Sequence, residues 1–425
     1  MKQFPLNEQQ LLDDLKGLLR IKSVNGDCGE VSEKALLGAG INEAIEYMLA
    51  LGKKFGFKTK NLDGCCGWIE MGQGDQMVGI LAHMDTVSVD ENGWVANPFD
   101  GTLIDGKLYG RGVIDDKGPA MVALYAMKTL ADSGANLGKR VRLILGGDEE
   151  AGDWRCMTRY KQTEETPSCA FTPDAEYPTT FAEKGILHVR IFRHLDSSIR
   201  PISLDCGKMF NIVPAYAAAT VDGVAYEATG VAAHAMEPHK GVNALLKLCD
   251  TLREKGIDHP FVKMAEIANL DGFHIRFSDE PSGALTLNPS IAKVTDSMAE
   301  LFCDIRVPVT VDVTKVVQAI SDSVAPLGFT AENTHYSEPL YVEKDSPLVS
   351  TLQRVYLECT GEDIPSNSTG GGTYARAFDN AVAFGPMFPG EEVTYHQTNE
   401  YWAVDSMRRN YQIFVNTIKA LAENA

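Results

Sequence analysis

Apolar runs alternate with stretches of helical periodicity along the first 185 residues of the chain. The apolar runs are nearly continuous, which is typical of strands buried on both faces. They predict strands at 66–71, 77–82, 140–145 and 169–171. Leucines and methionines at the spacing of one helix face predict helices over 7–22, 35–56 and 117–131. Strands and helices in alternation predict an α/β fold with a mixed, mostly parallel sheet flanked by helices.

From about residue 186 the pattern changes. Predicted strands at 186–192, 284–295, 299–307 and 328–335 are separated by predicted helices at 241–256 and 312–325. This order is typical of an α+β unit of the split βαβ, ferredoxin-like kind. After Pro339 the earlier alternation resumes, with a helix over 346–359 and a strand over 381–384. We therefore predict one domain formed by 1–185 and 337–425, with a smaller domain, 186–336, inserted into it.

Composition and charge narrow the classes of partner. The chain has 425 residues, with 39 Lys and Arg against 58 Asp and Glu, and its net charge of −19 repels nucleic acid. No apolar run approaches the ~20 residues of a bilayer span, and the first residues show no signal-peptide pattern. Nine cysteines without a Cys-x-x-Cys pair fit reduced thiols. We expect a cytoplasmic protein with no nucleic-acid or membrane partner.

Chemically active side chains follow three of the predicted strands directly. In chain order these are His83 and Asp85, then Glu149 and Glu150, then Asp174. Asp115 stands just before the helix over 117–131. Taken singly, such an Asp is usually a helix cap and a strand-end His a polar surface residue. Parallel strands end at one sheet edge, however, where ligands bind, and crowded carboxylates repel one another unless cations neutralise them. Imidazole and carboxylate donors without thiolate suit zinc, or manganese and cobalt.

Five motifs in this order resemble those of the co-catalytic dizinc exopeptidases, a group that includes aminoacylases, glutamate carboxypeptidases, carnosinases and PepV-type bacterial dipeptidases. The motifs are His83-x-Asp85, Gly110-Arg111-Gly112 leading to Asp115-Asp116-Lys117-Gly118-Pro119, Asp148-Glu149-Glu150, Pro173-Asp174-Ala175-Glu176, and His396. The segments 370–376 and 396–401 are most similar to the PepV branch. The resemblance implies a zinc-exopeptidase-like catalytic domain, and it implies that the inserted domain is a lid.

The same resemblance implies a pair of metal ions and their ligands. One metal takes His83 and Asp174, the other takes Glu150 and His396, and Asp115 bridges them. Two divalent ions are therefore expected, zinc first, with manganese or cobalt as alternatives. The peptide bond after Asp115 resembles one that is cis in this family.

Two residues beside the ligands receive roles from the resemblance. Glu149 is expected to act as the general base. Asp85 is expected to orient the ring of His83 by accepting its other N–H.

Residues of the expected lid and of the glycine-rich segment supply the substrate side. His234 is expected to donate to the oxyanion, and Asn211 and Arg306 to hold the substrate, because an Arg fork suits a peptide carboxylate. The alternatives are a turn residue for Asn211 and a surface ion pair for Arg306. Gly371, Gly372 and Thr373 are expected to form a backbone clamp on the peptide.

The implied activity is that of a metal-dependent dipeptidase. A hydroxide bridging two divalent metals would attack unblocked dipeptides, with a small peptide as the partner. An N-acyl amino acid deacylase of the aminoacylase or desuccinylase type and a non-catalytic binding protein are the alternatives. Short-lidded relatives often form homodimers through the lid, whereas PepV-like members resemble monomers, and the sequence leaves both open.

Overall fold

The computed structural model describes residues 3–152 and 154–423. The chain divides into two units. The first is formed by Met1–Phe181, Val342–Asn367 and Thr373–Ala425, and the second by Ala182–Tyr341 and Ser368–Gly372. None of the helices in the described residues is long and apolar enough to cross a membrane.

The first part of the chain alternates between helices and strands as predicted. Its helices are α1 (Glu8–Leu19), α2 (Ala39–Lys54), α3 (Lys117–Asp132) and α4 (Arg155–Thr163). Its strands are β1 (Lys58–Leu62), β2 (Cys66–Met71), β3 (Met77–His83), β4 (Thr102–Ile104), β5 (Lys107–Tyr109), β6 (Arg140–Gly146), β7 (Cys169–Thr172), β8 (Ala175–Glu176) and β9 (Thr180–Glu183). The leucine spacing predicted a helix with one buried face, and all five leucines of α1 are indeed buried. The Asn7 side chain caps the start of this helix.

The second unit is an α+β unit built on one antiparallel sheet. Its helices are α5 (Ala244–Glu254), α6 (Pro260–Glu266) and α7 (Val313–Val324). The strands that follow β9 are β10 (Gly185–His194), β11 (Ile202–Cys206), β12 (Tyr216–Val221), β13 (Val224–Thr229), β14 (Ser278–Asp279), β15 (Gly283–Ala284), β16 (Thr286–Val294), β17 (Met298–Val307), β18 (Thr330–Ser337) and β19 (Leu340–Tyr341). The sheet order is β13-β12-β11-β16-β17-β10-β18. Strands β10, β16, β17 and β18 with their helical crossovers form the split βαβ arrangement, and β11–β13 extend it at one edge.

The last part of the chain returns to the first unit. Its helices are α8 (Pro347–Thr360) and α9 (Val404–Ala422). Its strands are β20 (Asn367–Thr369), β21 (Ala381–Ala383), β22 (Pro386–Met387) and β23 (Tyr401–Ala403). A short 3-10 turn, Tyr374–Ala377, precedes β21.

The sheet of the first unit determines where the strand ends meet. Its order is β1-β2-β6-β3-β7-β21-β9. Strands β6, β3, β7 and β21 run parallel to one another. Strand β1 pairs antiparallel with β2, β2 with β6, and β9 with β21. Every residue of β3 is buried, as is expected of a central strand covered on both faces. The predicted mixed sheet flanked by helices is therefore confirmed, with the parallel strands at its centre.

Candidate metal centre

Three strand ends at one edge of this sheet carry three of the five predicted ligands. His83 is the last residue of β3, and it lies opposite Gly146, the last residue of β6. Glu149 and Glu150 follow in the next turn, and Asp174 comes two residues after the end of β7. Because these strands are parallel, their carboxyl ends place all of these side chains at the same edge.

Asp115 lies between two imidazoles. Its Oδ1 atom is 2.9 Å from Nε2 of His83, and its Oδ2 atom is 2.8 Å from Nε2 of His396. On the His83 side, Asp174 Oδ2 lies 3.8 Å from Nε2. On the other side, Glu150 Oε1 lies 3.0 Å from Nε2 of His396. The five predicted ligands thus form two imidazole–carboxylate pairs on either side of one shared carboxylate.

The state of the His83 ring fits a metal ligand. Its Nδ1 atom lies 2.9 Å from the backbone carbonyl oxygen of Asp85, and because a carbonyl can only accept, Nδ1 carries the hydrogen. Burial lowers the pKa of His83, but Asp115 and Asp85 outweigh it and hold the pKa well above its usual range, so Nε2 takes either a proton or a metal ion. In the neutral ring Nε2 carries a lone pair. It is buried, has no hydrogen-bond partner among the described residues, and faces carboxylate oxygens. A lone pair set against negative oxygens is repulsive until a cation lies between them.

The donor set also fits divalent ions in number and spacing. The ligand atoms of His83, Asp115 and Glu150 lie within 4.8 Å of one another, and so do those of His83, Glu149 and Asp174. Nitrogen and carboxylate oxygen donors without thiolate are suited to zinc, manganese and cobalt. These residues can therefore hold metal ions.

Crowding of carboxylates dominates the electrostatics of the cluster. Burial raises the pKa of Glu149 well above its usual range, and the neighbouring Glu150 carboxylate adds to the effect. Burial and the charge of Asp115 likewise raise the pKa of Asp174. For His396, burial lowers the pKa, but Asp115 and Glu150 outweigh it and raise the pKa to about 11. The cluster favours bound positive charge, whether protons or metal ions.

The carboxylate of Asp85 contacts the turn that carries the two glutamates. Its oxygens accept the backbone N–H groups of Glu149 at 3.2 Å and Glu150 at 3.0 Å, and the side-chain amide of Asn25 at 3.0 Å. The nearest carboxylate oxygen lies 3.5 Å from Nδ1 of His83. The backbone carbonyl oxygen of Asp85, at 2.9 Å, is thus the nearer acceptor to Nδ1 of His83. That the carboxylate of Asp85 orients the ring stays a prediction.

Two aromatic residues that the sequence analysis did not select lie beside the cluster. The ring of Tyr374 meets that of His83 edge-on, with centroids 6.1 Å apart, and its hydroxyl oxygen accepts the N–H of Asp148 at 3.2 Å. Trp154 packs edge-on against Tyr374 and donates from Nε1 to the carbonyl oxygen of Glu149 at 3.2 Å. Tyr374 lies within the glycine-rich motif at 370–376 and directly follows Thr373, which was predicted to contact the substrate. An aromatic residue at that position was the sequence signal that could have identified Tyr374 as part of the site.

A buried ion pair holds the loop that leads to Asp115. Nη1 of Arg111 lies 2.7 Å from Oε2 of Glu400, and both residues are almost completely buried. Glu400 also accepts the backbone N–H groups of Gly112 and Ile114, each at 3.1 Å. Burial raises the pKa of Glu400 to about 7, against the opposing effect of Arg111. The peptide bond after Asp115 is cis, as the resemblance implies.

The residues predicted to contact the substrate through the lid lie in the second unit. Asn211 and His234 belong to neighbouring segments, since the carbonyl oxygen of Asn211 accepts the N–H of Ala235 at 2.8 Å. Nδ1 of His234 accepts the N–H of Met236 at 3.1 Å, so a neutral ring carries its hydrogen on Nε2. A hydrogen bond to an oxyanion requires a donor, and the Nε2–H group of His234 can serve as one.

Arg306 is a buried residue of the same unit rather than a surface ion pair. Its Nε and Nη2 atoms donate to the two carboxylate oxygens of Asp304 at 2.7 and 2.8 Å. Its Nη1 atom donates to the carbonyl oxygen of Gly370 at 2.7 Å. Arg306 therefore fastens the glycine segment at 370–372 to β17.

The glycine-rich segment is divided between the units. Gly371 and Gly372 belong to the second unit and Thr373 to the first. The N–H of Gly371 donates to Oγ1 of Thr369 at 3.0 Å. The Thr373 side chain caps the following 3-10 turn by accepting the N–H of Ala375 at 3.2 Å. The predicted clamp on a peptide by these three residues stays a prediction.

Comparison with known proteins agrees with this geometry. The family model described as Peptidase family M20/M25/M40 matches residues 79–420. A Bacillus subtilis protein named “Putative dipeptidase YtjP” is 36% identical over 460 residues, which cover 98% of this chain and 98% of that protein.

Solved structures share the fold at low sequence identity. Aminoacylhistidine dipeptidase from Vibrio alginolyticus has a TM-score of 0.64 at 14% identity, over 99% of this chain and 98% of that one. The Bacillus subtilis YXEP protein, described as a dinuclear metal binding peptidase from the M20 family, has a TM-score of 0.58 at 12% identity, over 98% of both chains. The length of the family match, together with the identity to the Bacillus protein, shows that this chain belongs to peptidase family M20/M25/M40.

Proposed function

We propose that the protein is a metal-dependent dipeptidase that hydrolyses unblocked dipeptides. The observation that carries this proposal is the position of Asp115, with one carboxylate oxygen facing His83 and the other facing His396. A shared carboxylate between two ligand pairs suits two divalent ions held close together. The family and the relative named as a dipeptidase support a peptide as the substrate.

The residues that would hold the ions divide into two sets. His83 and Asp174 serve one ion, Glu150 and His396 serve the other, and Asp115 serves both. When bound, such a pair supplies a Lewis acid for the scissile carbonyl and lowers the pKa of an attacking water to about 7. Zinc is our first choice because two imidazoles take part, with manganese or cobalt as the alternatives.

Glu149 moves the proton in this proposal. It lies in the same turn as Glu150, and its carboxylate is within 4.8 Å of the ligand atoms of His83 and Asp174. Burial and nearby carboxylates raise its pKa, and bound cations would oppose that shift. As a carboxylate it accepts a proton from the attacking water, and it then returns that proton to the leaving amine.

The second unit supplies the substrate contacts in this proposal. The Nε2–H group of His234 would donate to the oxyanion. Two N–H groups of Arg306 remain beyond those given to Asp304 and Gly370, enough for the carboxylate end of a peptide. Asn211 and the glycine segment would align the backbone of the peptide.

A substrate panel tests the proposal. Protein loaded with zinc or manganese is assayed against unblocked dipeptides and against N-acetyl and N-succinyl amino acids, with release of free amino acid as the measurement. We expect turnover of the dipeptides. Turnover confined to the acylated compounds would instead identify a deacylase, and no turnover of either class would indicate a binding protein.

The cellular setting and assembly state are further parts of the proposal. We place the protein in the cytoplasm because its nine cysteines are free thiols, which suits a reducing compartment. A monomer and a homodimer through the second unit both stay open, and measuring the mass in solution distinguishes them.

A further inference from the structure

The first unit contains a cavity at the sheet edge opposite the metal centre. Its volume is about 820 Å³, within the usual range of small-molecule sites. Gln76, Lys139 and Cys169 line it at the starts of β3, β6 and β7, and Asn380 lines it just before β21. The predicted ligands follow the other ends of these strands. Since β3 has seven residues, the two sites are separated by roughly 20 Å at ~3.3 Å per residue.

The charges around this cavity oppose the overall charge of the protein. Three cations line it, Lys139, Arg354 and Lys419, and among the described lining residues only Glu423 is acidic. The chain as a whole carries a net charge of −19. A local excess of positive charge in an acidic protein attracts anions to that place.

The three cations are held in ways that leave them available to a ligand. Lys139 donates to the backbone carbonyl oxygen of Leu421 at 2.9 Å, which leaves its charge unneutralised. Arg354 pairs with Glu358 at 3.2 Å and Lys419 pairs with Glu423 at 3.4 Å. All four side chains of these two pairs are more than a third exposed, and exposed pairs contribute little. An incoming oxyanion can therefore replace the carboxylate partners.

Polar and apolar groups complete the lining. The side-chain amide of Asn380 donates one hydrogen to the backbone carbonyl oxygen of Ser168 and has a second one, and the hydroxyl group of Thr351 is a further donor. The hydroxyl of Ser168 already donates to the carbonyl oxygen of Met77. Leu348, by contrast, forms part of an apolar wall. The volume is larger than a bare inorganic ion needs, and the mixed lining suits a carbon skeleton that bears an anionic group.

We propose that this cavity is a second binding site, for a small organic molecule that carries a phosphate or carboxylate group. Binding there does not depend on the dipeptidase proposal, because none of the predicted metal ligands lines the cavity.

Calorimetric titration of the metal-loaded protein with glycerol 3-phosphate and, separately, with succinate tests the proposal. Sodium chloride keeps the ionic strength constant, and the two probes distinguish the two anionic groups. We expect one of them to bind, with an affinity about tenfold weaker in Arg354→Gln and in Lys419→Gln, since each removes a charge-assisted contact. Both variants keep an exposed polar side chain, so unchanged thermal unfolding is expected.

Arg253→Gln is the matched control. Arg253 is half exposed and pairs with Asp250 on its own helix in the second unit, much as Arg354 pairs with Glu358. Its affinity for the probe should equal that of the parent protein. Failure of both probes to bind would overturn the proposal, and so would equal affinities of the parent protein and the two cavity variants, because binding would then lie elsewhere.

Discussion

The carboxylate of Asp85 accepts the backbone N–H of Glu150 at 3.0 Å. It accepts the N–H of Glu149 in the same way. One side chain at the end of β3 thus fixes the turn after β6, and the proposed base and a proposed ligand depend on its position. Asp85→Asn replaces one acceptor oxygen by an NH₂ group, which would face an N–H donor.

We expect Asp85→Asn to fold and to lower kcat by about 10–100-fold, the usual effect of losing a partner that orients a metal site. Steady-state kinetics on a dipeptide, with metal content measured in parallel, checks this. Asp90→Asn is the control, because Asp90 also accepts a backbone N–H, that of Asn92, but is exposed. A kcat for Asp85→Asn equal to that of the control would show that these amide contacts are dispensable.

Glu149→Gln should remove turnover while metal binding remains. The change keeps the shape of the side chain but removes the proton acceptor, so we expect kcat to fall by about 10²–10⁴-fold. Metal content by mass spectrometry should stay at the parent value, since Glu149 is not among the proposed ligands. Glu91→Gln, at an exposed position, is the control. Undiminished turnover would rule out Glu149 as the base.

Arg111→Met should destabilise the first unit strongly. It leaves Glu400 buried without its cation, and breaking a buried pair in this way costs about 3–5 kcal/mol. Lys22→Gln removes an exposed pair with Glu91 and should cost less than about 1 kcal/mol. Urea unfolding of both variants measures the difference.

The decrease in the free energy of unfolding caused by Arg111→Met should become smaller as the pH is lowered. Burial already raises the pKa of Glu400 to about 7 in the presence of Arg111, and losing the cation raises it further. Protonation then removes the unpaired charge. A loss that is independent of pH would contradict this account.

His259 should make the second unit less stable in acid. Burial, with a smaller effect of Arg193, lowers the pKa of His259 to about 4. Its Nδ1 accepts the N–H of Phe261 at 3.1 Å at the start of α6, which requires the neutral ring. The unfolded chain takes up a proton near pH 6.5 and the folded chain only near 4, so stability is lost as the pH falls between these values.

His259→Asn keeps a side chain that caps helices well but does not titrate. We expect its thermal unfolding temperature to fall less than that of the parent protein between neutral pH and about pH 5. Equal falls in the two proteins would show that His259 does not cause the acid sensitivity.

The positions of four of the five proposed ligands, His83, Asp115, Glu150 and Asp174, could be predicted from the sequence because each lies at or shortly after the end of a strand or just before a helix. Buried parallel strands bring their carboxyl ends together whatever the details of packing. The order of the motifs supplied the assignment of His396, which no strand pattern places near His83. The split βαβ order of the second unit also followed from simple alternation.

Other features depend on contacts between segments that are distant in the sequence. Nothing in the spacing shows that the backbone carbonyl oxygen of Asp85 lies nearer to Nδ1 of His83 than the carboxylate does, or that Tyr374 packs against that ring. Two signals were present but unused. Asp304 and Arg306 are two residues apart on β17 and so share a face, and Asp222-Gly223 between β12 and β13 is a typical two-residue hairpin turn.

Strand β21 lies between β7 and β9, yet the whole second unit separates it from them in the chain. During synthesis, β7 and β9 leave the ribosome long before β21, the strand that pairs with both of them. His396 follows later still. Pairings between such distant residues also slow folding. A nascent polypeptide would therefore lack the full set of proposed metal ligands until residue 396 has been synthesised, and we expect an unfinished chain not to cleave peptides.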